Sequence, residues 1–526
     1  MTAVAAVATG APLDLTPTHT TLFEALIDAR ARFGGRRPAI IDSDDRMLTY
    51  DDIVRATLAL GHALKKGTAR GENVGIMLPT SVASVIAFFA VSAFGRVPTM
   101  MNFTTGAAGV MSAIRTAVVK RVITARKFIE LAKLDGLAAE LSRAVHVQFL
   151  EDVRGKLSIV DKAFAGIGQF APKLATSHPP HNNPAVILFT SGTEGEPKGV
   201  ALSHSNLLSN VRQVIAHVAF FQQDVLFNPL PTFHCYGLTA GVLCPLLLGI
   251  KSVLHPTPLK PHDIVKRVKQ TAATILLSTD TFMSQYARVA EQGDFRFLRI
   301  AVCGAERVRD ETRRLLRRKH DIEPLEGYGL TETSPFAAAN QPGDNQPGTV
   351  GHLMAGMQAR LEPVEGIPGA GRLLLKGPNV MLGYIRPEKP GAIDPPPDGW
   401  HDTGDVVTMD DDGVITIKGR MKRFANVGGE TISLAFVENC ASSLWPDHNH
   451  IAVAVANDRK GEQIVLLTTT PEPSRADLIA WAHGHGVAEL LVPRRVFHVD
   501  EIPLLASGKP DFGKAEKVVL ARLKAA

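Results

Sequence analysis

The sequence predicts an α/β protein built on parallel βαβ units, followed by a small α+β domain. Three observations predict it. From about Thr20 to Leu150, helical patterns alternate with short apolar strands, the rhythm of parallel sheets covered by helices. Continuous apolar runs that end in loops recur in the middle of the chain. After Arg420 the pattern restarts with its own strands and helix, and the roughly hundred residues that remain are enough for a small domain.

In chain order, the first clear strand lies in Ala69–Pro79, "ARGENVGIMLP", where a turn leads into an apolar run. Ser81–Phe94 follows as a helix. Its stretch Val82–Phe94 is the longest apolar run in the chain, shorter than the ~18 residues a membrane span requires, and reads as a buried helix. Ser177–Pro184, "SHPPHNNP", reads as a linker; its two histidines have no further metal ligand nearby. Ala185–Thr190, "AVILFT", is a strand that ends in a Gly-rich loop. Thr274–Thr279 and Leu298–Cys303 repeat the strand-then-loop pattern. Gly371–Lys376 and Gly413–Lys418 read as antiparallel strands, the second after an Asp-Gly turn. Beyond Arg420, "HIAVAVA" and "QIVLLTTT" are strands, and Ser474 caps a helix that ends at glycine.

Composition narrows the function. The 526 residues are 45% hydrophobic and 21% charged, as in ordinary globular proteins. Only 6% are aromatic, too few for a stacking surface along single-stranded nucleic acid. The net charge of +5 is spread along the chain with no basic run, so a solvated surface is the expectation and nucleic acid is not a partner. Cys235, Cys244, Cys303 and Cys440 form no C-x-x-C pair. Scattered thiols fit a reducing compartment. Met1–Leu13 is Ala-rich without a basic residue and reads as a frayed tail. The expectation is a cytoplasmic protein with no transmembrane segment.

The strongest chemical signal is Thr190–Gly199, "TSGTEGEPKG". Glycines let backbone approach phosphate oxygens, Ser191 and Thr193 add hydroxyl donors, and Lys198 adds positive charge. No G-x-x-x-x-G-K-[ST] can be read here, so this is not a Walker A loop. An ordinary Gly/Ser turn is the usual fate of a lone Gly-rich loop, but the length and composition of this string favour phosphate.

That string resembles the phosphate loop of the adenylate-forming superfamily: acyl-CoA synthetases, luciferases and peptide-synthetase adenylation domains. The further signatures follow in order: "LPTFHCYG" (Leu230–Gly237), "GYGLTET" (Gly327–Thr333), "WHDTGD" (Trp400–Asp405), "GRMKR" (Gly419–Arg423) and "SGKPD" (Ser507–Asp511). The resemblance covers nearly the whole chain. It implies a large N-terminal domain of stacked mixed and parallel sheets flanked by helices, with a β-subdomain, over residues 1–419. It implies a small mobile α+β domain over 420–526. The implied reaction makes an acyl-adenylate from ATP and an acid, then passes the acyl group to a thiol.

The resemblance also implies roles. Ser191, Gly192, Thr193, Glu194, Gly195 and Lys198 would hold the phosphates, with Thr193 also catalytic. Gly304, Ala305, Glu306 and Gly327 would border base and ribose, with Gly329 beside them and Tyr328 along the adenine. Thr331 and Glu332 would face the phosphates; Glu332 is a hard oxygen ligand suited to Mg²⁺. Asp405 would accept both ribose hydroxyls, and Arg420 would bind ribose and phosphate. Lys509 would bridge the attacking carboxylate and the α-phosphate, where its ammonium offsets charge that develops in the transition state. Lys422 matches the hinge between two half-reactions. Gly428 and Gly429 would face the thiol donor. His234 would stand at the mouth of the acyl pocket with Gly237 beside it, although a histidine in an apolar stretch is more often a satisfied core residue.

A narrower resemblance joins "QPGTVGHLMAGMQARL", "GRLLLKGPNVMLGYIRPEKPG" and "ELLVPRRVFHVDEIPLLASGKPD" to the acyl-acyl carrier protein synthetase half of bacterial 2-acylglycerophosphoethanolamine acyltransferase/synthetases. The H-x-x-x-x-D motif typical of their acyltransferase half is absent. Glu194 stands where many superfamily members have Thr, an acid that this narrower branch shares. "ANVGGETISLAFVE" lacks the proline many acyl-CoA synthetases place before "xVE". Residues Cys235–Leu238 offer no carboxylate for a substrate amine, which favours an uncharged tail. The leading expectation is therefore a medium- to long-chain fatty acid joined to acyl carrier protein, with CoA as the alternative acceptor. A silent nucleotide-binding member is disfavoured because Lys509, Glu332 and Asp405 are all present.

Overall fold

The computed structural model describes residues 6–191, 196–364, 366–367, 369–427, 430–457, 461–504 and 510–525. The chain divides into two compact units. One comprises Thr9–Gln358 and Lys376–His401; the other comprises Ala359–Leu375 and Asp402–Ala526, together with the residues up to Ala8.

The larger unit holds two extended sheets. In the first, His146–Phe149, Arg121–Thr124, Asn73–Ile76, Val97–Met100 and Pro184–Ser191 run parallel. Pro197–Ser203 and then Gly383–Ile385 continue it antiparallel. In the second, Pro38–Ile41, Lys251–Leu254, Val225–Asn228, Ile275–Ser278, Ile300–Gly304 and Leu325–Gly329 are parallel, and Phe336–Ala339 and then His352–Leu353 continue it antiparallel. The central strands are buried along their length, which is why they read as unbroken apolar runs instead of alternating ones.

The expected strands at Ala185–Thr190, Thr274–Thr279 and Leu298–Cys303 are present as Pro184–Ser191, Ile275–Ser278 and Ile300–Gly304. Val82–Ala93 is the expected buried helix; Ser81 caps it through a capping box with Ser84. Among the described residues no helix is long and apolar enough to cross a membrane. Cys235, Cys244 and Cys303 are buried, and all four cysteines are free thiols.

In the second unit, Gln358–Pro363, Gly371–Lys376, His401–Met409 and Ile415–Arg420 lie side by side in one sheet. The expected strand at Gly413–Lys418 begins two residues later. Gly413 (φ +83°) is spent on the turn, where Asp410 Oδ1 accepts from the amides of Asp412 and Val414. Residues beyond 420 build a separate sheet from Phe424–Val427, Glu430–Ser433, His450–Asn457, Gly461–Thr468 and Arg495–His498. It carries a core on each face, one around Val437, Leu466 and Leu478 and one around Val453, Leu467 and Val519. Such a pair of cores is what an autonomous small domain needs. The proposed boundary at 419/420 falls within this contact-defined unit.

Candidate active site

In open parallel sheets, ligands bind beyond the carboxyl ends of the strands. Many of the candidate residues of the larger unit stand there. Ser191 ends Pro184–Ser191, Gly304 ends Ile300–Gly304, and Gly327, Tyr328 and Gly329 end Leu325–Gly329. The glycines differ in what they do. A Cβ on Gly329 would lie 1.9 Å from the Pro335 carbonyl oxygen, and one on Gly304 would lie 3.0 Å from the Tyr236 ring. Packing demands the first; the second would need the Tyr236 ring to give by a few tenths of an ångström. A Cβ on Gly327 would make ordinary contact with Phe336 (3.6 Å) and Ala339 (3.8 Å), so packing alone tolerates one there. Ala305 follows with φ +66°, a left-handed conformation that costs a non-glycine residue ~1 kcal/mol. Glu306 accepts from the Thr281 amide (2.9 Å), which caps the helix Asp280–Val289.

Thr331–Thr333 forms one 3₁₀ turn directly after these strands. Glu332 is buried, and its Oε1 accepts from the Tyr384 hydroxyl at 2.6 Å. Lys198 Nζ stands 5.7 Å from the Tyr384 ring centroid. Tyr384 therefore joins a strand of the first sheet to the acidic turn of the second. The turn is held from below by Asn379, which donates to the carbonyls of Thr333 (2.6 Å) and Phe336 (2.9 Å), and by Met381, whose amide donates to Glu332 O (2.8 Å). A fixed, buried carboxylate is a hard oxygen ligand of the kind that suits a hard cation. Among the described residues no group of three or more His, Cys, Asp or Glu could hold a metal ion.

His234 precedes the short helix Cys235–Leu238, and its amide donates to Pro231 O (3.1 Å). Gly237 is needed for this return, because a Cβ there would lie 2.2 Å from the same carbonyl oxygen. The helix widens into a π turn, Thr239–Leu243. Farther along, Ala240 and Cys244 line an apolar cavity whose other walls include Leu226, Leu277, Val302 and Phe336. Two of the strands that line it carry Gly304 and Gly327 toward their ends. Its polar wall groups are already paired. Glu326 accepts from Arg313 (2.5 Å), the Gly348 amide (2.9 Å) and the Val308 amide (3.2 Å). His217 Nε2 donates to Ala339 O (2.7 Å), and Gln341 donates to its Nδ1 (3.0 Å); burial holds its pKa below the usual value, so it stays neutral. The cavity thus offers apolar surface and no unspent charge.

In the second unit, two separate sequence motifs become neighbours. Asp405 and Arg420 are cross-strand partners of His401–Met409 and Ile415–Arg420, with Arg420 Nε 3.0 Å from Asp405 Oδ1. Asp405 is buried, while the arginine side chain is largely exposed. Lys422 is exposed and sits in the 3₁₀ turn Met421–Arg423. Arg423 then anchors the chain to the small sheet: it pairs with Glu438 (2.5 Å), donates to Ala452 O (2.7 Å) and stacks on Phe512.

Over residues 27–385 the sequence matches the profile of the AMP-binding enzyme family, more than half of the chain. The chain belongs to the AMP-binding enzyme family. This AMP-binding enzyme is 28% identical to the medium-chain fatty-acid–CoA ligase of Escherichia coli (strain K12), over 92% of the chain and 88% of that protein. It is also 28% identical to the long-chain-fatty-acid–CoA ligase of Bacillus subtilis (strain 168), over 95% and 94%. Among solved structures, MatB from Rhodopseudomonas palustris with ATP bound superposes with a TM-score of 0.81 at 25% identity, covering 95% of this chain and 99% of that one. o-Succinylbenzoate CoA synthetase from Bacillus subtilis, solved with its acyl-adenylate, has a TM-score of 0.81 at 19% identity and shares the fold.

Of the residues expected to act in this AMP-binding enzyme, Gly192, Thr193, Glu194, Gly195, Gly428, Gly429 and Lys509 lie outside the described residues. Sequence reasoning did not single out Tyr384, Asn379 or Tyr236. Asn379 and Tyr384 lie within "GRLLLKGPNVMLGYIRPEKPG", which carries the narrower resemblance without giving either a role. Tyr236 sits inside "LPTFHCYG", and its hydroxyl donates to Val302 O at 3.1 Å; an aromatic just after His234 was the available signal.

Proposed function

We propose that this AMP-forming acid–thiol ligase activates a fatty acid with ATP and transfers the acyl group to CoA. The observation that carries the substrate is the apolar cavity walled by Leu226, Leu277, Val302 and Phe336, whose polar wall groups are satisfied internally. A charged substrate tail would have no partner there. The names of the fatty-acid–CoA ligase relatives support CoA as acceptor and do not favour acyl carrier protein, the acceptor first expected.

The residues would divide the work as follows. Gly327 and Tyr328 receive the adenine, and Asp405 with Arg420 takes the ribose. Lys198 and Glu332 face the phosphates, Glu332 as the carboxylate that holds Mg²⁺. Lys509 approaches the carboxylate oxygen as it attacks the α-phosphorus. The bond from that phosphorus to the β-phosphate bridging oxygen breaks, and pyrophosphate leaves. Rotation about Lys422 then brings the thiol side. The thiolate sulfur attacks the acyl carbon, and AMP leaves with the bond between that carbon and the phosphate oxygen.

Acid-dependent exchange of pyrophosphate into ATP, measured over a series of chain lengths, tests the substrate. Exchange that rises with an unbranched acyl chain supports the reading. Exchange confined to amino or aryl acids would overturn it.

A further inference from the structure

The strongest feature that the ligase reaction leaves unused is the surface of the helix Ile159–Gly168 and the turn after it. Ile159, Val160, Ile167, Phe170 and Leu174 are 66–88% exposed, and four of them are the most exposed large apolar side chains described. Five such residues within sixteen positions are a patch, unlike the single exposed apolar residues every surface carries.

The helix is held by its other face. Ser158 caps it, and Asp161 is buried against His62 Nδ1 (2.6 Å) and Lys66 Nζ (3.0 Å). Phe164 stacks on His62 at 4.2 Å, and Ala165 and Gly168 are buried. At about 100° per residue, Asp161, Ala165 and Gly168 fall on one side, and Ile159, Val160 and Ile167 span an arc of about 100° on the opposite side. The helix is thus docked by a small-residue and aspartate face and presents an apolar face outward. Folding alone does not require that pattern.

The charge around the patch points to its occupant. Between Arg154 and Leu174 the sequence has four basic residues and a single acid. That acid is Asp161, already spent inside. Arg154, Lys156 and Lys162 are exposed, while Lys173 pairs with Asp28 at 2.5 Å. An apolar stripe flanked by exposed cations is complementary to a bilayer whose headgroups are anionic: the side chains enter the acyl boundary and the lysines meet phosphates. We infer that Ile159–Leu174 docks this enzyme in the plane of an anionic phospholipid surface. The inference rests on the fatty-acid reading above for its purpose, since such acids partition into bilayers, but not for its geometry.

The test is co-sedimentation of the full chain with vesicles, without acid, ATP or thiol. Phosphatidylcholine vesicles with roughly a third phosphatidylglycerol should bind the enzyme, and phosphatidylcholine alone should bind it about tenfold more weakly. Ile159→Ser, Ile167→Ser, Phe170→Ser and Leu174→Ser combined should cut binding to the anionic vesicles at least about tenfold, with an unchanged melting profile because all four are exposed. Lys156→Glu with Lys162→Glu should weaken binding without touching the apolar face. No binding by the native chain, or binding indifferent to both variants, overturns the inference. A concentration-dependent dimer that the serine variant abolishes, with no vesicle binding, assigns the patch to a second copy instead. Pyrophosphate exchange with a water-soluble medium-chain acid is measured in parallel. If it fails while vesicle binding holds, the function reading falls and the docking surface stands.

Discussion

Glu332 shows how a single residue is prepared for its task. A carboxylate buried beside a sheet edge is costly unless its oxygens are met. Tyr384 meets one of them at 2.6 Å, and the Asn379 network fixes the turn that carries it. Tyr384→Phe keeps the ring near Lys198 and removes the hydroxyl that donates to Glu332, a hydrogen bond worth ~1.5–3 kcal/mol when made to a charged group. Adenylation should slow by about tenfold, with the Mg²⁺ requirement raised. Glu332→Gln should raise that requirement further, and a chelator should abolish activity in the native enzyme. An unchanged Mg²⁺ titration in both variants would place the ion elsewhere. Little of this arrangement was legible beforehand. "GYGLTET" marks the acid, but Tyr384 reaches it across 52 positions of sequence through a strand pairing that no local pattern encodes.

Two elements carry predictions of their own. The π turn Thr239–Leu243 presents Ala240 to the cavity. Ala240→Phe would fill part of that volume at a cost in stability of ~1–3 kcal/mol. The KM for long acids should rise steeply while short acids are still activated; a uniform loss across chain lengths would separate this cavity from the acyl chain. The first helix, Leu22–Phe33, is tied to two titrating groups, the buried His204 and the half-buried Glu24. The Leu22 amide donates to His204 Nδ1 (3.1 Å), and burial lowers the His204 pKa to about 4. Burial also opposes the charge on Glu24, but hydrogen bonds from Thr21, Thr20 and His178 outweigh it and bring its pKa to about 2. The unfolded chain takes up the His204 proton below about 6.5, the folded chain only below about 4. Stability therefore rises with pH across that window and is lost as pH falls through it, and Glu24 extends the loss toward lower pH. The denaturant midpoint should drop between pH 6.5 and 4, and His204→Gln should flatten that dependence. The helices Val82–Ala93 and Arg475–Gly484 and the buried strands were readable because apolar runs, caps and turn glycines are local signals. The pairing of Asp405 with Arg420 was not, since only the hairpin register makes neighbours of "WHDTGD" and "GRMKR".

Across the two half-reactions, Lys509 and Lys422 have separable roles in this account. Lys509→Ala should slow adenylate formation by ~10²–10³, while thioester formation from a synthetic acyl-adenylate survives. Lys422 lies between two anchors, Arg420 on Asp405 and Arg423 on Glu438, so rotation has few dihedrals to use. Lys422→Pro fixes one of them and should retain adenylation while blocking transfer. Equal loss in both assays for either variant would remove its assigned role. The reaction class was legible in six ordered motifs, and the family profile supports it. The acceptor was not, because it is chosen by a docking surface and no motif spells that out. The most direct measurement supplies ATP, Mg²⁺ and a fatty acid with CoA and acyl carrier protein at matched concentrations, and identifies every product by mass. The account predicts AMP, pyrophosphate and acyl-CoA formed in equal amounts. ADP in place of AMP, or acyl-carrier protein as the dominant thioester, would contradict it.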